Sequence, residues 1–175
     1  NISQLNRNRL LTTYDFADGI KTGHTSSAGY CLAASASINE TRFISVIFGA
    51  NSSKARFKDT KTLFKFGFRN FITEKYFNKN KVIAKERIWN GEKKYIDIGF
   101  NRNIYITQMK HDNSKIIPKI NLLSKIQAPI RINQYLGTID FVKDNKIIST
   151  EKIYALKRIE EGNLYRKTYD LIANF

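Results

Sequence analysis

The sequence predicts an α+β protein in two parts: three antiparallel strands closed by one helix, then a small all-β, sandwich-like domain. Three observations predict it. Residues 28–38 and 41–50 are nearly continuous apolar runs of small or β-branched residues, the pattern of strands covered on both faces. Residues 53–71 switch to helical spacing, with Phe57, Phe64, Phe68 and Phe71 on one face and Leu63 beside it. From about residue 72 glycine becomes sparse and short alternating segments dominate, as they do where short strands follow one another.

Each element follows in order. Residues 15–23 read as the first strand, with 28–38 and 41–50 as the second and third. The short polar link Asn39-Glu40 fits a hairpin between the last two. The helix over 53–71 covers one face of that sheet. Further on, Asn90-Gly91 between Ile88-Trp89 and Tyr95-Ile96 signals a hairpin. Asn101 to Asn103 punctuates the next pair, and Asp144-Asn145 before Ile147-Ile148 signals another hairpin. Pro118 and Pro129 suit edges or turns. In residues 163–175, Leu164, Leu171, Ile172 and Phe175 fall near one helical face, with Arg166 and Lys167 elsewhere. That spacing suits the start of an interfacial amphipathic helix, and equally a terminal helix docked on the protein. The expected parts are therefore 1–71, 72–162 and 163–175.

Composition narrows the function. The formal net charge is +15, from 30 Lys and Arg against 15 Asp and Glu. Such a balance invites a nucleic-acid reading, but the cations run from Arg7 to Lys167 with no cluster longer than a pair. No nucleic-acid partner is expected; an anionic membrane or envelope surface fits better. Cys31 is the only cysteine, so no internal disulfide forms. It sits in an apolar strand and reads as a small packed thiol. His24 and His111 are the only histidines and have no partners of metal-ligand spacing, so no metal site is expected. No signal peptide and no run of 18 apolar residues is present.

One stretch carries chemistry: Asp18-Gly19-Ile20-Lys21-Thr22-Gly23-His24-Thr25, followed by Ala28-Gly29-Tyr30. It resembles the K-T-G signature of the active-site serine penicillin-binding proteins, above all the low-molecular-mass D-alanyl-D-alanine carboxypeptidases of peptidase family S11. Asn6 to Leu11, Arg42 to Ala50, Ser53 to Phe57, Asn133 to Ile139 and Glu160 to Asn163 resemble other parts of the same family, so the likeness covers nearly the whole chain. It identifies the first part as the C-terminal portion of a serine β-lactamase/penicillin-binding-protein-like domain.

The resemblance implies site roles residue by residue. These enzymes bind a peptide that ends in a free carboxylate. Lys21 supplies positive charge beside the nucleophile and substrate, and Thr22 hydrogen-bonds the carboxylate with Thr25 near it. Gly23 clears the strand edge for the substrate. The His24 backbone N–H serves as an oxyanion donor. Arg56 stands where the family keeps a carboxylate-binding arginine, whose planar fork suits that partner. The implied substrate is a peptidoglycan stem peptide ending in D-Ala-D-Ala, β-lactams trap the same serine, and no cofactor is needed. The implied location is the periplasmic face of the bacterial cytoplasmic membrane, held by the C-terminal helix.

The family also carries S-x-x-K, with nucleophile and activating lysine, and S-x-N, both upstream of K-T-G. The 20 residues before Lys21 hold neither. Ser149-Thr150-Glu151-Lys152 and Ser37-Ile38-Asn39 imitate them but follow K-T-G, and both read as coincidences. The chain alone is thus expected to be inactive. Rival readings are a β-lactamase-like hydrolase, which the second domain and Arg56 argue against, and an inactive remnant or non-enzymatic binding module from a split gene.

Overall fold

Small side chains at Ala33, Ala34, Ser35 and Ala36 let the middle strand of a three-stranded sheet lie flat beneath a helix. The computed structural model describes residues 3–112 and 114–172. A short helix, α1 (Leu10–Thr13), precedes three antiparallel strands, β1 (Ala17–Thr25), β2 (Gly29–Ile38) and β3 (Thr41–Ala50), in the order β1-β2-β3. Helix α2 (Ser53–Asn70) follows. Its start is set by Ser52, whose side chain accepts the Ala55 N–H at 3.0 Å, one of the donors a helix N-terminus leaves unpaired.

The first core is built where α2 meets β2 and β3. Leu32, Ala34, Phe57 and Phe64 are buried there, joined by Leu10, with Phe43 and Phe68 packed against them. The helix lies close because of Gly67: a Cβ there would meet the Phe43 ring at 3.0 Å. Two expectations need correction. Leu63 is exposed rather than beside the buried face, and Phe71 is not helical, because it turns extended and opens the next strand. β3 is covered on one face only among the described residues: Thr41 and Ser45 point inward, while Ile44, Val46 and Phe48 are 67%, 50% and 78% exposed.

The second unit is built from β5 (Val82–Arg87), β6 (Tyr95–Gly99), β8 (Ile117–Leu122), β9 (Tyr135–Lys143) and β10 (Lys146–Ala155). They form one sheet in the order β5-β6-β10-β9-β8. β4 (Phe71–Phe77) and β7 (Ile104–Met109) form a separate two-stranded ribbon. Alternate residues of β6, β9 and β7 supply the core, among them Ile96, Ile98, Ile139, Phe141, Ile104 and Ile106. The chain divides into Asn1–Glu74 with Thr107–Asp112, and Lys75–Ile106 with Asn113–Phe175. Residues 107–112, within the expected β domain 72–162, group with the first unit in this division.

Turns mark where local chemistry was strong. Asp144 and Asn145 both have positive φ, 48° and 61°, and join β9 to β10 with Lys143 opposite Lys146, the two-residue turn their residue types favour. Asn90-Gly91 differs. Asn90 has φ 59°, but the β5–β6 connection is long, because Trp89 exchanges backbone hydrogen bonds with Ile126 and Ala128, and Asn90 accepts from Gly162 N–H. Asn101 to Asn103 links β6 to β7, which lie in different sheets, so that segment is a crossover and not a hairpin.

Candidate functional site

The K-T-G stretch lies on β1, the edge of its sheet. Its register against β2 sets Lys21 opposite Ala33, Thr22 opposite Leu32, Gly23 opposite Cys31 and His24 opposite Tyr30. Lys21, Gly23, His24 and Thr25 are exposed and Thr22 is half-buried. Among the described residues β1 has no strand partner on its outer side, so its edge offers backbone groups to an added strand.

Gly23 is informative because the fold does not demand it. A Cβ there would meet Cys31 Cβ at 3.7 Å, an ordinary contact, and nothing nearer. The bare backbone leaves space over the edge that packing within the described residues leaves unused.

Arg56 supports this strand from below. It sits in the first turns of α2 and is 6% exposed. Its Nη1 donates to the carbonyls of Gly23 at 2.9 Å and Cys31 at 3.1 Å, and its Nη2 to Ser53 Oγ at 3.2 Å. The guanidinium lies 5.5 Å from the Tyr30 ring centroid and 4.9 Å from that of Phe57, close enough for cation–π attraction. Its Nε has no hydrogen-bond partner among the described residues. Sequence reading gave Arg56 to a substrate carboxylate; in the structure its first commitment is to the backbone of the K-T-G strand.

The remaining side chains are tied locally. Lys21 Nζ donates to the Thr22 carbonyl at 2.9 Å. The His24 ring leans on Tyr30, centroids 4.1 Å apart. Thr25 Oγ1 accepts the Ala28 N–H at 3.0 Å, which fixes the β1–β2 turn. At the foot of β1, Asp18 accepts from Ser35 Oγ and pairs with Arg42 at 2.6 Å. The Ser35 hydrogen bond, with help from Arg42, holds its carboxyl below the ordinary range. The imitating Ser149 and Lys152 lie on β10, opposite Phe141 and Thr138.

A second candidate surface is α3 (Leu164–Ile172). Its polar arc faces the β domain. Asp170 is 2% exposed, accepting from Asn90 N–H at 2.8 Å and Arg87 Nη2 at 3.2 Å, with Arg166 Nε 3.7 Å away. The opposite arc faces out: Leu164, Leu171 and Ile172 are 81%, 64% and 71% exposed, with Tyr165 and Tyr169 beside them. Phe175, expected on the same face, lies outside the described residues. No described helix is long and apolar enough to cross a membrane. Sequence reading missed Asp170, Arg87 and Tyr30. Asp170 was visible as a lone acid in the polar arc of the tail, but its partner 83 positions away was not.

The family described as D-alanyl-D-alanine carboxypeptidase matches residues 1–52, and the one described as penicillin-binding protein 5, C-terminal domain, matches residues 71–161. D-alanyl-D-alanine carboxypeptidase DacA of Escherichia coli is 38% identical over 174 residues, covering 98% of this chain and 43% of that protein. DacF of Bacillus subtilis is 34% identical over 159 residues, covering 90% and 41%. Among solved structures, penicillin-binding protein 5 from Haemophilus influenzae has a TM-score of 0.80 at 35% identity, over 91% of this chain and 47% of that one. The chain thus spans less than half the length of these relatives.

Proposed function

We propose that this chain, which belongs to the D-alanyl-D-alanine carboxypeptidase family of penicillin-binding proteins, supplies the substrate-binding wall of a serine-type carboxypeptidase without its nucleophile. The observation that carries this is the edge strand β1, with K-T-G exposed along it and Gly23 held from below by Arg56. A stem peptide ending in D-Ala-D-Ala lies along that edge as an added strand. Lys21 places fixed charge beside its scissile bond, and the Thr22 hydroxyl meets its carboxylate. Arg56 adds positive charge beneath, through the side of its guanidinium not given to Gly23 and Cys31. The His24 N–H donates to the oxyanion that forms as the bond is attacked. The attacking serine and its lysine come from residues outside these 175, and water then cleaves the acyl-enzyme.

The exposed row Ile44, Val46 and Phe48 on β3 supports that reading, since a soluble sheet seldom leaves three large apolar side chains aligned in water. A further part of the catalytic domain covers them. The tail is read as a membrane-surface helix: α3 docks through its polar arc and turns its apolar arc outward, the orientation needed to lie on a bilayer at the periplasmic face.

Two measurements test the enzymatic reading. Purified chain incubated with a labelled penicillin is expected to form no covalent adduct; a stoichiometric adduct would overturn the account of the nucleophile. The chain joined to a family segment bearing S-x-x-K and S-x-N is expected to release D-alanine from a D-Ala-D-Ala peptide, and Lys21→Ala to abolish release. Release unaffected by Lys21→Ala would remove the wall from the mechanism.

A further inference from the structure

Beside α3 the second unit holds a cleft of about 320 Å³, lined by Trp89 and Asn90 of the β5–β6 connection, Lys125, and Lys167, Thr168 and Leu171 of the helix. Charge in this cleft is unevenly spent. The Asp170 carboxylate, at its floor, is consumed by Asn90 N–H, Arg87 and Arg166. Lys167 pairs with Glu161. Lys125 is different: its ammonium lies 5.3 Å from the Trp89 ring centroid and has no carboxylate partner among the described residues. Arg87 stacks on the same ring at 4.1 Å. The cleft is therefore cationic, with an aromatic wall.

Its position selects the ligand. Leu171 belongs both to the cleft and to the exposed apolar arc of α3, so the cleft opens on the boundary between the polar and apolar sides of the helix. With the apolar arc in a bilayer, that boundary sits at headgroup depth, where Trp, Tyr and Lys side chains are favoured. We infer that the cleft receives the phosphate of an anionic phospholipid headgroup. Lys125 supplies the uncommitted charge, Lys167 its remaining ammonium hydrogens, and the Trp89 ring shields the pair from water. A free phosphate is the poorer occupant, because only a lipid also covers Leu171, Leu164 and Ile172.

This inference rests on the membrane-surface reading of α3, and one experiment separates their failures. The full chain is co-sedimented with vesicles of phosphatidylcholine alone and with vesicles containing phosphatidylglycerol. Lys125→Glu and Lys125→Ser are compared with Lys146→Glu, an equal charge change at the first residue of β10, which does not line the cleft. Lys125→Glu is expected to weaken binding to phosphatidylglycerol vesicles about tenfold, with Lys125→Ser intermediate and Lys146→Glu under about twofold. Binding to pure phosphatidylcholine should not change, and melting temperatures should match wild type. Equal losses for Lys125→Glu and Lys146→Glu would reduce the effect to net charge and overturn the cleft. So would wild-type binding with no preference for phosphatidylglycerol, which would leave the surface helix standing. Wild-type protein that sediments with neither vesicle would overturn both readings.

Discussion

At the scale of single residues, the sequence exposes chemistry better than it exposes support. Lys21, Thr22 and Gly23 were readable because the run around them resembles the K-T-G signature of a known family. Tyr30 and Asp18 were not, because their partners, Arg56, His24, Ser35 and Arg42, meet them only through strand register and helix docking. Gly23 yields a direct test. Since a Cβ there makes only an ordinary 3.7 Å contact, Gly23→Ala should change folding stability by less than about 1 kcal/mol. In an enzyme with the nucleophile present it should sharply reduce turnover of the D-Ala-D-Ala peptide, because the methyl stands where the proposed substrate strand would lie. Matched losses of stability and turnover would mean that glycine serves the fold. Asp18 yields a second test. Its folded pKa lies below the ordinary value of 3.8, so between the two values the unfolded chain binds more protons. Stability from this group is complete above about 3.8 and is lost as pH falls through the folded value. Asp18→Asn should therefore lower the melting temperature near neutral pH and converge with wild type in acid. A constant difference across the pH range would remove ionisation of Asp18 from the explanation.

Elements were legible where one periodicity governed them. β1, β2 and β3 were placed within about two residues because their apolar runs are bounded by polar turns. α2 was legible because Phe57 and Phe64 repeat every two turns. The misreadings have a common cause: periodicity reports that a side chain is apolar, not that the described fold covers it. Leu63 and the outer row of β3 are apolar and exposed, and the Asn90-Gly91 connection lengthened because its backbone found partners at Ile126, Ala128 and Gly162. Arg56 links α2 to the K-T-G strand, so its removal acts on an element pair. Arg56→Ala leaves two partly buried carbonyls without their charged donor, a loss of about 1–3 kcal/mol measurable by urea unfolding of this chain. In the active enzyme the variant should also lose more turnover on a peptide with a free carboxylate than on its C-terminal amide. Equal losses on the two peptides would assign Arg56 to strand support alone.

At the scale of the whole molecule, two properties that looked unrelated in the sequence converge on one surface. The net charge of +15 is spread over the chain and carries no sequence-specific message, yet it favours any anionic sheet of lipid. The apolar arc of α3 adds a term that salt does not screen. The sequence left the tail as either anchor or docked helix because spacing alone does not say which arc turns inward; in the structure the buried Asp170 turns the polar arc inward and leaves the apolar arc exposed. Vesicle binding should accordingly fall in two separable steps. Raising salt from about 0.1 M to 1 M shortens the screening length from about 10 Å to 3 Å, and should remove most of the preference for anionic lipid while leaving residual binding. Leu164→Asp with Leu171→Asp should abolish that residue of binding with little change in melting temperature, since both side chains already face solvent. A large fall in melting temperature with unchanged sedimentation would instead place the apolar arc against protein, and the membrane assignment would fail with it.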